Sequence, residues 1–193
     1  MKFLVIETSS EKNFAALAVN GKWVEAPLPM REQMKHLLPG VDHLLSTTGL
    51  TLGELDFIAV GNGPGSFTGT RIGVCSAKIL SFAKKLPLLT FCSFCRFTPQ
   101  EPQPFLLLVD AKSHGFYVYD GDKASLMTPE SLEIPQNCLL LSPHPERIKK
   151  RLSIEVAPVT ENPSFLMSYL ETAFNDGQSI SPEKVQVSYL HTP

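Results

Sequence analysis

No stretch of this chain approaches the ~18–20 uninterrupted apolar residues of a membrane-spanning helix, so no helical span is expected. A basic excess is also missing: 17 Lys and Arg stand against 19 Asp and Glu, giving a net charge of -2 and a pI near 6.2. Phosphate contacts supply most of the affinity of a nucleic-acid binder, so any nucleic acid is expected to be held by another molecule. Cysteine is scarce, with only Cys75, Cys92, Cys95 and Cys138. The Cys92-x-x-Cys95 pair has the form of a redox pair or half a zinc site. No second pair with ligand spacing exists, and buried free thiols are ordinary in a cytosolic protein. The histidines are His36, His43, His114, His144 and His191. None are four residues apart, the spacing that brings two helical ligands to one metal ion. His36 and His43 lie two helical turns apart with Asp42 as the nearby carboxylate, which suits exposed helix histidines, and no metal site is expected.

What remains is the composition of a folded globular protein, 193 residues with 43% hydrophobic and 19% charged, enough to close a core. The opening apolar run ends at Glu7, too short for a signal peptide, and the protein is expected in the cytoplasm. Residues 3–8, 14–19 and 22–26 read as strands, with Asn20-Gly21 marking a type I′ hairpin. An amphipathic helix is expected over 31–47, bent at Pro39. Thr51-Leu52-Gly53-Glu54 fits a capping box, and 56–61 reads as a strand. A second helix over 68–85 carries Ile72, Cys75, Ile79 and Ala83 on one face and Gly73, Ala77 and Leu80 on an adjacent one. Its apolar surface exceeds one core-facing stripe. The small residues fit either a close-packed partner helix or burial between layers of its own domain.

Residues 98–104 are a Pro-rich connector, and 11 of the 16 prolines lie from Pro99 onward, so the second half is expected to be smaller and less regular. An internal echo links the halves. Leu4-Val5-Ile6-Glu7 leads through a polar turn to Phe14 and a hairpin ending at Asn20-Gly21. Leu107-Leu108-Val109-Asp110 leads through Lys112-Ser113-His114-Gly115 to Phe116 and a hairpin ending at Asp120-Gly121. This predicts a duplicated α/β architecture of two mixed, ribonuclease-H-like sheets: a complete first lobe over 1–97, the connector 98–104, and a reduced second lobe over 105–193.

The sharpest local signal is Gly61-Asn62-Gly63-Pro64-Gly65-Ser66-Phe67-Thr68-Gly69-Thr70-Arg71-Ile72-Gly73, between a strand and a helix. Glycines at such a place permit tight turns and outward N–H groups that suit anions. A P-loop would need Gly-Lys-Ser/Thr at its end, and a dinucleotide fingerprint would need glycine where Ser66 stands. Neither motif is present. The alternative is a strand-to-helix elbow with Thr68 as N-cap and glycines that allow close packing.

The segment resembles the Gly-x-Gly-Pro-Gly-Ser-Phe-Thr-Gly-x-Arg-Ile-Gly block of the TsaB (YeaZ) family, a bacterial component of the machinery that makes N6-threonylcarbamoyladenosine in tRNA. Ile6-Glu7-Thr8-Ser9 is similar to the family's opening Asp-Thr-Ser/Ala. Arg31-Glu32 through Leu37-Leu38-Pro39 is similar to its first helix, Asp110-Ala111-Lys112 with Tyr117 to its Asp-Ala-Arg and downstream tyrosine, and Tyr189-Leu190 to its closing Tyr-Leu-Arg. Glu7 for aspartate, Gln33 for a frequent histidine and Lys112 for arginine are departures.

The resemblance implies an actin-like ATPase fold and a degenerate copy of the catalytic subunit, TsaD, whose His-x-x-x-His metal helix this chain lacks. Actin-like kinases contact phosphates through the turn after the first strand. Here that turn, Thr8-Ser9-Ser10-Glu11-Lys12-Asn13, has no glycine, and Glu7 and Asp110 serve either to hold magnesium through water or to close strand ends. The implied role is a non-catalytic subunit bound to TsaD, with the TsaE ATPase in the larger complex and a second copy as partner when alone. The resemblance further implies tRNA contact only through that complex, and ATP and Mg at the level of the complex. By this resemblance Leu37, Val41, Leu45, Gly73, Ala77 and Leu80 form the partner interface. The alternatives are a stand-alone enzyme of the glycopeptidase-labelled class, using Ser66 or Ser113 near His114, and a tRNA binder using Arg147, Lys149, Lys150 and Arg151.

Overall fold

The structure, a computed structural model, describes residues 1–190; His191 lies outside the described residues. The chain divides into two compact units, Met1–Ser93 with Leu166–Ser188, and Phe94–Phe165 with Tyr189 and Leu190.

The first unit is built on β1 (Lys2–Glu7), β2 (Asn13–Val19), β3 (Lys22–Leu28), α1 (Gln33–Thr48), β4 (Phe57–Gly61), α2 (Phe67–Lys84) and β5 (Leu88–Phe91). Its sheet has the order β3-β2-β1-β4-β5. The first three strands are antiparallel, joined across Asn20 and Gly21 at φ 51° and 78°, the pair of positive values that a type I′ turn requires. β4 and β5 add in parallel, which demands crossovers, and α1 and α2 supply them. Strand alternation sends Leu4, Ile6, Ala15, Leu17, Ile58 and Val60 to one face, where they meet Leu37, Val41 and Leu44 of α1 and Val74 and Ala77 of α2. On the other face the Phe57 ring stacks between Phe3 at 4.4 Å and Phe174 at 4.6 Å, the latter from α4 (Pro163–Asn175).

α1 runs through Pro39 without interruption and ends at Gly49 in the left-handed region. The capping box at Thr51 and Glu54 is present, with the Thr51 N–H donating to Glu54 Oε2 at 2.8 Å. The Thr51 backbone N–H, followed by its hydroxyl, holds the Glu54 carboxyl below its ordinary range.

The second unit repeats the plan with β6 (Phe105–Asp110), β7 (Phe116–Tyr119), β8 (Ala124–Met127), β9 (Leu139–Ser142), α3 (Pro145–Leu152) and β10 (Ala157–Pro158). Its order, β10-β9-β6-β7-β8, is the first sheet read from the opposite edge, with the same antiparallel and parallel pairings. Each unit is a mixed ribonuclease-H-like sheet, and the chain has the duplicated fold of the actin-like ATPases. The reduction is local. Where the first unit places α1, the second has only the short turn Pro129–Ser131, and its last strand spans 2 residues. Ile148 of α3 packs on Leu106, Leu108, Phe116 and Val118 to form its core.

Instead of one continuous second lobe over 105–193, the compact units place Leu166–Ser188 with the first. Val185 is in that unit's core, Ile180 bridges Leu88, and the Ser188 N–H donates to the Asn62 carbonyl at 2.7 Å.

Candidate functional site

The glycine-rich segment joins β4 to α2, and its close approaches are to the end of β1. The Ser66 N–H donates to the Ser9 carbonyl at 2.6 Å, and the Thr8 hydroxyl donates to the Gly69 carbonyl at 2.8 Å. A Cβ at Gly65 would overlap the Ser9 carbonyl oxygen, and one at Gly69 would overlap that of Thr8. Both obstacles are backbone, which cannot step aside, so these positions take glycine because two chain segments touch there. The segment is a seat for the β1–β2 turn.

Helix α2 starts one residue earlier than the sequence indicates. Ser66, not Thr68, is the N-cap, and its hydroxyl accepts the Gly69 N–H at 3.2 Å. The Thr70 hydroxyl returns to the Ser66 carbonyl at 2.7 Å. Arg71 lies over the Phe67 ring, 3.7 Å from its centroid.

The strand-end carboxylates share one turn chemistry. Glu7 Oε1 accepts the Ser9 N–H at 2.6 Å, and Asp110 Oδ1 accepts the Lys112 N–H at 2.8 Å. Their faces differ. Asp110 alternates in register with Leu106 and Leu108, the residues under α3, and Arg151 of that helix pairs with it. The Arg151 guanidinium also covers the Phe116 ring at 4.4 Å and donates to the Gly115 carbonyl at 3.2 Å. Glu7 alternates instead with Phe3 and Val5, opposite the face whose core residues meet α1 and α2. It is fully buried beside Gly61, where a Cβ would overlap its carboxylate. Elsewhere in the second unit, burial pushes the Tyr117 phenol up.

The basic run on α3 is partly spent on internal pairs. Lys149 pairs with Glu155 at 2.6 Å and Arg151 with Asp110. Ser66 and Ser113 are not brought into hydrogen bonds with a histidine; Ser66 caps α2, and Ser113 and His114 are exposed neighbours. His36 pairs with Glu32 of the preceding turn at 2.9 Å. Among the described residues no group of three His, Cys, Asp or Glu could hold a metal ion. None of the four cysteines is in a disulfide, and Cys75 is exposed on α2.

The expected partner interface needs correction. Leu37, Val41, Gly73 and Ala77 are buried, and Leu45 and Leu80 are partly buried against the same core. The small residues of α2 bring it close to its own sheet: a Cβ at Gly73 would overlap the Thr8 hydroxyl and lie 3.4 Å from Ile6 Cγ2. The surplus apolar surface is on the other side of the helices. Met34 is 78% and Leu38 53% exposed on α1, and Ile79 is 61% and Phe82 78% exposed on α2. The signal was the size of the side chains. On α2 the small Gly73 and Ala77 face the sheet, whereas the large Ile79 and Phe82 lie outside.

The family model for TsaD, tRNA N6-adenosine threonylcarbamoyltransferase, matches residues 28–174. The tRNA threonylcarbamoyladenosine biosynthesis protein TsaB of Haemophilus influenzae is 32% identical over 123 residues, 61% of this chain and 52% of that protein. TsaB of Escherichia coli is 38% identical over 93 residues, 46% of this chain and 39% of that protein. The chain thus spans about half, or less, of the length of these curated relatives. The solved structure of YeaZ from Pseudomonas aeruginosa aligns with a TM-score of 0.81 at 23% identity, covering 97% of this chain and 100% of that one, a likeness that speaks to fold. By the matched model, the named relatives and the shared fold, the chain belongs to the TsaB (YeaZ) family, within the wider group that the TsaD model describes.

Proposed function

We propose that this chain works in the formation of N6-threonylcarbamoyladenosine in tRNA, as a non-catalytic subunit that docks on a threonylcarbamoyltransferase paralogue, TsaD. The observation that carries the reading is the exposed apolar surface of α1 and α2. Met34, Leu38, Ile79 and Phe82 project from two neighbouring helices whose opposite sides already fill the core. Large apolar side chains grouped in this way mark a binding surface on a folded protein. The names of the relatives supply the pathway, and a wider TsaD-like group supplies a partner with matching helices.

The chemistry of the chain is consistent with an accessory role. The turn after β1 is packed beneath the glycine-rich segment, and Asp110 is neutralised by Arg151. With a net charge of -2, the chain relies on the complex for contact with tRNA. TsaE joins the larger assembly, ATP and Mg are engaged there, a second copy can cover the same face when the partner is absent, and the site of action is the cytoplasm. No helix among the described residues is long and apolar enough to cross a membrane.

The test is co-purification of the chain with TsaD from the same source, for wild type and Ile79→Arg/Phe82→Arg. Aromatic anchors at interface centres are worth about 2 kcal/mol or more, so the double variant should bind at least about 30-fold more weakly. Unchanged binding would remove this face from the account.

A further inference from the structure

The outward side of α2 carries a charge pattern as well as apolar bulk. Ile72, Cys75, Ile79 and Phe82 recur at spacings of three, four and three, the a and d positions of a heptad seam. Cys75, Ile79 and Phe82 are exposed and Ile72 is half-buried. Arg71, Lys78 and Lys85 recur every seven residues in the g position, one row along the edge of that seam. The e positions on the other flank are the uncharged Ser76 and Ala83. From Phe67 to its C-cap Lys85 the helix holds no Asp or Glu, in a chain whose net charge is -2.

The three cations are held differently. Lys78 donates to the Val185 carbonyl at 3.2 Å and lies near the exposed Glu183, so its charge is partly met within the unit. Arg71 lies over the Phe67 ring, a contact that orients the guanidinium and leaves its charge in place. Lys85 is exposed and enters no ion pair among the described residues. Charges beside an apolar seam act mainly on partner choice and on the rate of encounter: opposite signs attract and like signs repel. A second copy of the chain would present this same row to the interface and set cation against cation. A helix with carboxylates along its facing edge would be drawn in.

We propose that the cationic edge of α2 selects the occupant of this face: a helix of the threonylcarbamoyltransferase paralogue whose facing edge carries Asp and Glu, in preference to a second copy of this chain. This rests on the docking reading above and adds to it the chemistry of the partner. The test is the binding kinetics of the full chain with TsaD from the same source at low and high salt, for wild type, Arg71→Gln/Lys85→Gln, Arg71→Glu/Lys85→Glu and Ile79→Ala/Phe82→Ala. Wild-type association should slow roughly tenfold between ~0.01 M and ~0.15 M salt. At low salt the Gln pair should associate more slowly than wild type and the Glu pair more slowly still, by roughly tenfold, with dissociation little changed. Ile79→Ala/Phe82→Ala should instead dissociate faster and keep its salt dependence. Self-association of wild type alone should be absent at low salt or strengthen as salt rises. Wild-type association indifferent to salt, a Glu pair that associates like wild type, or self-association that weakens with salt would overturn the proposal. The docking face would still stand if Ile79→Ala/Phe82→Ala weakens binding; unchanged binding by that variant would overturn the docking reading and this proposal with it. If the Glu pair does not fold, the Gln pair decides by the same rates.

Discussion

Arginine at position 77 and arginine at position 82 should have opposite effects, although the two sites are little more than one turn apart on α2. Ala77 has no exposed surface and belongs to the core between α2 and the first sheet. A guanidinium there would be overpacked, at about 1–3 kcal/mol, and would carry a buried, unpaired charge costing several kcal/mol more. A native domain holds only about 5–15 kcal/mol in total, so Ala77→Arg should remove most of the stability of the first unit. Phe82 is 78% exposed, and its replacement should change stability by no more than about 0.5 kcal/mol. The assay is urea unfolding followed by the fluorescence of Trp23, the 1 tryptophan of the chain, whose ring meets Phe14 of the first sheet edge to face at 5.9 Å. Ala77→Arg should show no cooperative transition, whereas Phe82→Arg should match the wild type and fail in docking. A folded Ala77→Arg with an unshifted midpoint would refute the assignment of the small-residue face of α2 to the core.

Two further outcomes follow from the loops. Gly69→Ala drives a Cβ into the Thr8 carbonyl and should lower stability by about 1–3 kcal/mol; Gly53→Ala, where a Cβ meets nothing within 4 Å, should be neutral or slightly stabilising in the same urea series. Asp120 accepts the Lys123 N–H at 2.7 Å and the Asp122 N–H at 2.9 Å, and these bonds, Lys123 foremost, hold its carboxyl below the ordinary range. Its contribution is thus present above the unfolded value of about 3.9 and is lost as pH falls through the lower folded value. Asp120→Asn should make the urea midpoint less steep in pH below about 4, and identical pH profiles would count against the turn bonds.

The sheet architecture was legible because both hairpins announce themselves. A buried strand ends in a carboxylate whose oxygen takes the N–H two residues on, at Ser9 and at Lys112, and an aromatic opens the next strand at Phe14 and Phe116. The capping box at Thr51 was equally local. What escaped was decided by tertiary contact. Gly73 and Ala77 fit either a partner helix or burial within their own domain, and only the position of Thr8 and Ile6 beneath Gly73, with Ala77 in the core, decides for the second. Ser66 and Thr68 are equally good caps by type, and the chain path past Ser9 selects Ser66. The return of Leu166–Ser188 to the first unit leaves no periodic mark, since it depends on single residues such as Val185 entering an existing core.

On the proposed reading, this chain supports a catalytic paralogue through its exposed helix face and performs no threonylcarbamoyl transfer by itself. The most direct measurement is tRNA modification by TsaD from the same source, reconstituted with TsaE, ATP and Mg, with wild-type chain, with Ile79→Arg/Phe82→Arg, and without it. Modification that requires the wild-type chain, fails with the double variant, and is absent when the chain is supplied without TsaD is the predicted result. Modification by the chain without TsaD, or full activity of the mixture without the chain, would contradict it.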